Sequence, residues 1–330
     1  MRIRKHRLGL SASLLTAGVM IASVGMPFGT STASASPKKV LGIVALIAND
    51  ALNIQTINGA TAVAKAHGWT VQVTDTQGSA QKANAAMITF ATDHVTAMYV
   101  LAYAPSSIGA GLAAANAAGI PVAEWGSAPR TKGIVSTVNY QAVARAEVNS
   151  LLASVPKPAS VLELNFSGGA LCITDGQVYA ATINRPGSGY TIKSVQIDGA
   201  NAVANGQSYT AAWLATHPKG SGNLAILSSW DVPTTGAVAA LQAAGRHDVK
   251  VFSINGESQT LALVKQGWET ETTRPSAFQE GQQSMLNILS YLSASKSAQK
   301  NWVAPVIAKK VTVITKANLT AFLKANPGAM

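Results

Sequence analysis

The chain has 330 residues, with 48% hydrophobic and only 12% charged, and 25 lysines and arginines against 14 acids. That length exceeds one ordinary domain and suits two of moderate size. The single cysteine, Cys172, excludes an intramolecular disulfide, and the net charge of +11 is spread in singles and pairs such as Lys38-Lys39 and Lys309-Lys310. With no basic run and no zinc-finger or helix-turn-helix spacing, a nucleic-acid partner is not expected.

The first 35 residues stand apart. Arg2, Arg4, Lys5 and Arg7 precede an apolar run from Leu8 to about Phe28, and "TASAS" follows with Ala33 and Ala35 at small-x-small spacing. This reads as a cleaved secretory signal peptide, residues 1–35, which places the protein in the periplasm or outside the cell. No cysteine follows the leader, so no lipobox anchor is expected. Removing the four leader charges leaves 21 basic against 14 acidic residues, a net +7. Scarce carboxylates lessen the change in charge on acidification, which fits an acidic periplasm; unfolding near about pH 4 in a stability series from about pH 3 to about pH 7 would count against that reading.

From Lys39 the pattern is regular. "VLGIVALIA" (40–48) is a strand, "NIQTINGATAVAKAHG" (53–68) a helix, "WTVQVTDT" (69–76) a strand and "AQKANAAMITFATDH" (80–94) a helix. "VTAMYVLAYAP" (95–105), "SSIGAGLAAANAAG" (106–119) and "IPVAEWG" (120–126) continue as strand, helix, strand. A second series follows: strands at 159–166, 190–198, 222–231 and 248–256, with helices at 172–185, 206–218 and 233–245. Short apolar strands alternating with helices mean βαβ units and parallel sheets, and the near-continuous apolar runs mean strands buried on both faces. The fold class is therefore α/β, with two similar domains, each a parallel sheet flanked by helices.

A weak internal repeat supports two copies of one plan. "YVLAYAPSSIGAGLAAANAAGIPVAEWG" and "LAILSSWDVPTTGAVAALQAAGRHDVKVFSING" share the order strand, polar or aromatic tip, helix, Ala-Ala-Gly, strand. Gly119 and Gly245 are the expected left-handed helix stops. Tyr103 and Trp230 fall near equivalent strand ends, as do Trp125 and Asn255. Ligands of open parallel sheets bind outside the carboxyl ends of the strands, so two facing sheets would share one cleft.

These stretches resemble the type I periplasmic binding proteins, in the branch of the ribose- and galactose-binding proteins, from about Val40 to Thr315. "NGATAVAKAHGWTVQVTDT" resembles that family's first helix and second strand, and "AAANAAGIPVAEW" the approach to its first ligand loop. The resemblance implies a soluble, monomeric, exported protein without metal or cofactor. Such a protein closes around a sugar or sugar-like solute by hinge bending and delivers it to the permease of an ABC importer. It implies three crossovers, near 138–142, 273–277 and 300–304. One domain would then be 40–138 plus 276–300, and the other 142–273 plus 304–330, including "VIAKKVTVIT".

The resemblance also places the ligand contacts at the strand tips: Asn49, Asp50 and Asn53 after the first strand, Tyr103, Trp125 and Ser127 in the same domain, and Asp175, Trp230, Asp231, Asn255, Glu257 and Arg274 from the other side. Two of the family's features are absent. Sugar binders usually carry an Asp, often followed by Arg, after the "IPV" strand, where this chain has Gly126 and Ser127. The helix after the second domain's first strand, "ALCITDG", offers Asp175 but no Arg. Glu124 and Trp125 alternate, so one of the two is expected to face the cleft. Indoles would present flat apolar area plus an N–H donor to a polyol. Cys172 is expected to be a small buried residue.

An enzyme is not indicated. There is no Gly-x-Ser-x-Gly elbow or Walker loop, "GAGLAA" (109–114) fits a dinucleotide fingerprint only loosely, and His6, His67, His94, His217 and His247 lack metal-ligand spacing. The alternatives kept open are a sensor of the same fold feeding a chemoreceptor or sensor kinase, and a ligand that is a nucleoside, amino acid, small aromatic or amide.

Overall fold

The computed structural model describes residues 38–126, 131–327 and 329, and the leader and Ser127 lie outside the described residues. Lys38–Met330 form one compact unit. The chain opens with β1 (Val40–Ala45), α1 (Ala51–Ala66), β2 (Thr70–Asp75), α2 (Ala80–Thr92), β3 (Ala97–Leu101), α3 (Gly109–Ala117), β4 (Val122–Trp125) and β5 (Ile134–Val138). It crosses to a second lobe through α4 (Gln141–Ser154), β6 (Ala159–Asn165), α5 (Ala170–Thr182), β7 (Tyr190–Gln196), α6 (Ala202–Thr216), β8 (Asn223–Ser228), α7 (Asp231–Ala243), β9 (Val249–Ile254), α8 (Ser258–Gln266) and β10 (Glu271–Arg274). It returns with α9 (Ala277–Ser293), α10 (Lys296–Lys300) and β11 (Val306–Ile307), then crosses again to β12 (Thr312–Thr315) and α11 (Leu319–Ala325).

Two six-stranded sheets result, in the orders β11-β5-β4-β3-β1-β2 and β12-β10-β9-β8-β6-β7. All pairings are parallel except that of β10 with β12. The apolar runs occupy the sheet interiors: β1, β3, β4 and β5 are almost wholly buried, whereas the edge strand β2 is exposed or half-buried at every position. Gly119 and Gly245 take φ of 68° and 59° and end their helices as expected.

The third crossing departs from the sequence expectation. "VIAKKVTVIT" does not belong to one domain. Val306 and Ile307 pair with Thr137 and Val138 of β5, and only Thr312–Thr315 join the other sheet. The chain therefore changes lobe between 307 and 312, beyond the 300–304 expected, because a two-residue strand completes the first sheet before leaving it.

Each lobe packs one pair of helices at backbone contact. A Cβ on Gly59 of α1 would lie 2.0 Å from the Phe278 carbonyl oxygen of α9, and one on Gly281 would lie 2.1 Å from that of Thr56. In the second lobe a Cβ on Gly206 or Gly236 would lie 2.0 or 1.9 Å from the carbonyl oxygen of Pro233 or Val203. These glycines let α1 meet α9, and α6 meet α7, without side chains between them. The returning helix α9 thus completes the first lobe.

Candidate functional site

The carboxyl ends of β1, β3 and β4 face those of β6, β8 and β9 across a small cavity of about 50 Å³, well below the usual volume of a small-molecule cleft. The first lobe contributes Leu46, Ile47 and Asp50 from the loop after β1, Leu52 and Asn53 from α1, Ala102 after β3, and Trp125 at the end of β4. The second contributes Tyr140, Phe166, Gly169, Leu171, Cys172, Ser229, Trp230 and Asn255. Four aromatic rings therefore line it: Trp125 and Tyr140 meet edge to face at 6.1 Å, and Phe166 and Trp230 pack at 5.4 Å.

The walls are held by bonds between distant parts of the chain. Trp125 Nε1 donates to Glu280 Oε2 of α9 at 2.8 Å, and Tyr140 Oη donates to Asn255 Oδ1 at 3.3 Å. The Trp125 indole therefore offers its face to a ligand and no free N–H. Ala102 has φ of 65°, a conformation uncommon for alanine, and its carbonyl accepts the Ala170 N–H at the start of α5 from across the cleft at 2.8 Å. Arg274 donates to the Gly256 carbonyl at 2.6 Å and to Gln55 Oε1 of the first lobe at 3.2 Å. The two lobes thus meet through backbone and side chains around the cavity.

Asp50 lines the cavity, and two further carboxyls, Asp231 and Glu257, lie near it. Asp50 caps α1, its Oδ1 accepting the N–H groups of Leu52 and Asn53. It also faces the Trp230 indole and the Glu257 carboxyl of the opposite lobe, and burial pushes its pKa up against these bonds. Asp231 Oδ2 accepts from Glu257 N at 2.9 Å and Thr260 Oγ1 at 3.2 Å. Burial raises Asp231 to about 7 despite those bonds. Burial, reinforced by the neighbouring Asp231 and Asp50, raises Glu257 to about 8.

Of the residues expected to hold ligand, Asp50, Asn53, Trp125, Trp230 and Asn255 line the cavity, whereas Asp231 and Glu257 lie near Asp50 without lining it. The others sit elsewhere. Asn49 is exposed. Tyr103 is buried within the first lobe, its hydroxyl 2.5 Å from Thr76 Oγ1, because the chain turns inward after β3. Asp175 lies wholly buried on α5 and caps nothing, and desolvation holds its pKa well above the usual carboxylate range. Arg274 faces a separate groove beside Ser276, Lys310 and Phe322.

Trp125, and not Glu124, reaches the cavity. Glu124 turns to the opposite face of β4, where its Oε2 accepts the Thr137 hydroxyl at 3.0 Å. Its Oε1 would lie 1.7 Å from a Cβ on residue 126. A side chain at residue 126 would therefore have to displace the Glu124 carboxyl.

Sequence reasoning missed Phe166, Tyr140 and Cys172. Phe166 ends the strand read at 159–166 and could have been found by the same strand-tip rule. Tyr140 lies inside the first crossing. Cys172 was expected to be merely buried, but it faces the cavity and donates to the Ser229 carbonyl at 3.2 Å. Burial raises its thiol far above the ordinary value.

No curated protein sequence matches this chain significantly. Solved structures do. A solute-binding protein of an ABC transporter from Agrobacterium vitis, with bound allitol, shares 22% identity over 87% of this chain and 99% of its own, with a TM-score of 0.77. The periplasmic component of the arabinose ABC transporter from Shewanella sp. ANA-3, bound to arabinofuranose, shares 18% over 87% and 95%, at 0.73. The 5-methylthioribose transporter solute-binding protein from Thermotoga lettingae, in complex with that sugar, shares 18% over 87% and 91%, also at 0.73. At these identities the likeness is one of fold. The sequence itself matches the family described as periplasmic binding protein domain over residues 42–315, and with two sheets facing one cavity this chain belongs to the periplasmic binding proteins.

Proposed function

We propose that this chain is the exported solute-binding component of an ABC importer, acting as a monomer in the periplasm and taking a sugar or sugar-like polyol between its lobes. The observation that carries the reading is the cavity between the strand ends, walled by Trp125, Trp230, Phe166 and Tyr140 and edged by Asp50, Asn53 and Asn255. Aromatic faces suit the C–H faces of a sugar ring, and carboxylates and amides suit its hydroxyls. The relatives whose bound ligands are allitol, arabinofuranose and 5-methylthioribose support that class. The three chain crossings would serve as the hinge, as in other periplasmic binding proteins. The role is capture and release, with no chemical step assigned to any residue.

A thermal-shift screen of sugars, polyols, nucleosides and amino acids tests this. One sugar or polyol should raise the melting temperature, since ligand at a hundredfold excess over Kd stabilises by about 2.7 kcal/mol. Trp230→Ala should weaken that binding markedly. A hit confined to amino acids would overturn the sugar assignment.

A further inference from the structure

The two lobes meet at backbone contact where α5 begins. Ser167-Gly168-Gly169 leads into that helix, and the helix start lies against the strand tips of the opposite lobe. The Ala170 N–H donates to the Ala102 carbonyl after β3 at 2.8 Å. A Cβ on Gly126, after β4, would lie 3.4 Å from the Ala170 Cβ, and one on Gly169 would lie 3.5 Å from Leu46 Cδ2, after β1. Leu171 is buried in the apolar cluster of the first lobe. Three strand ends of one lobe therefore hold one helix start of the other, and glycine on both sides lets the backbones approach. Ala102 is shaped for the contact. Its N–H donates to the Trp125 carbonyl at 2.8 Å, and with φ of 65° its own carbonyl reaches across the cleft to Ala170. A non-glycine residue holds that conformation only where its surroundings fix it.

We propose that the start of α5 is a clasp that shuts the cleft by direct contact between the lobes, so that closure needs no solute between them. Ala170 is the first residue of its helix, where an N–H has no partner within the helix; the Ala102 carbonyl supplies one from the other lobe. Opening the cleft gives that N–H and that carbonyl back to water, and it draws Leu171 out of the apolar cluster that buries it. The clasp also governs entry. With it made, the cavity measures about 50 Å³, too little for a sugar ring. A sugar therefore enters through the unclasped form, and its apparent affinity falls by the fraction of molecules that are unclasped. Main chain and apolar side chains form the clasp, so it acts alike on any solute.

Ala170→Pro tests the clasp. It removes the N–H and puts the ring Cδ where the hydrogen meets the Ala102 carbonyl. The helix tolerates the change: proline suits the first helical position, and Gly169, at φ −113° and ψ 136°, already has the extended backbone of a residue before proline. Gly169→Leu is a second wedge, since its side chain would run into Leu46 of the opposite lobe. Cys172, the single thiol and part of the cavity wall, reports opening. The measurements are N-ethylmaleimide labelling and small-angle X-ray scattering of the purified mature protein with no solute added. Both variants should label about threefold to tenfold faster than the parent, the span expected for one lost hydrogen bond. Both should scatter with a larger radius of gyration while keeping a cooperative melt. Labelling in urea, where all three are unfolded, sets the intrinsic rate. Unchanged labelling and scattering in both variants would overturn the clasp. Faster labelling at an unchanged radius would mean that the helix start frays between closed lobes, and would overturn it as well. With no solute present, failure of the sugar reading leaves these outcomes unaffected.

Discussion

Replacing Glu271 with glutamine probes how this fold treats its acids. Glu271 lies on β10 between Phe252 of β9 and Thr315 of β12, fully buried. Its Oε1 accepts the Thr273 hydroxyl at 2.9 Å, and its Oε2 has no hydrogen-bond partner. Burial raises its pKa from 4.5 to about 7 against the hydroxyls of Ser150 and Thr273. A carboxyl raised on folding is protonated in the native state where the unfolded chain is ionised. Its contribution is therefore fully present below 4.5 and lost as pH rises through about 7. The difference corresponds to about 3 kcal/mol at about 1.4 kcal/mol per tenfold change in proton affinity, a sizeable share of the roughly 5–15 kcal/mol of a typical domain. Glutamine keeps the acceptor for Thr273 and cannot ionise. Denaturant unfolding of both proteins from about pH 4.5 to about pH 8 reads the effect. The two should differ little at the acid end, and Glu271→Gln should be more stable by about 2–3 kcal/mol at the alkaline end. Parallel curves across that window would refute the reasoning.

Three further outcomes follow from the packing. Gly236→Ala places a methyl 1.9 Å from the Val203 carbonyl oxygen and should cost about 1–3 kcal/mol by forcing α6 from α7, whereas Gly109→Ala meets open space and should be neutral or slightly stabilising; thermal melts separate the two. Trp125→Phe keeps an aromatic wall but leaves the buried Glu280 carboxyl without its donor, at a cost of about 1–3 kcal/mol in urea unfolding, and unchanged stability would show that the bond is dispensable. Cys172, the single thiol, should react slowly with a maleimide and more slowly still once a ligand holds the cleft shut; a rate indifferent to ligand would place the thiol outside the ligand's reach.

The burial of the acids alters the meaning of the composition. Of the fourteen acidic residues, only Asp75, Asp93, Asp198 and Asp248 are exposed. Nine of the others have raised pKa values: Asp50, Glu147, Glu163, Asp175, Asp231, Glu257, Glu269, Glu271 and Glu280. Burial is the leading cause in each. Acidification therefore changes the folded protein's charge even less than the count of carboxylates suggests. The sign of every one of these shifts favours the fold at low pH.

Local pattern determined much of this protein. Apolar runs of strand length, helical spacing and glycine stops are short-range signals, and they sufficed for two parallel sheets and for the strand tips that supply Asp50, Trp125, Trp230 and Asn255. Elements made of polar residues were not legible: β10 reads Glu-Thr-Thr-Arg, yet three of its four residues are buried because strands pair on both sides. Nor could a two-residue strand such as β11 be assigned to a sheet before its partner β5 was known. The tertiary structure alone decided which groups at the tips remain free. The bond from Trp125 to Glu280 spans 155 positions, and Tyr140 reaches Asn255 over 115. No local pattern contains either one. Hydrogen-bond saturation depends on what folding brings alongside each group, so the groups left free around the cavity could be seen only once the chain was folded.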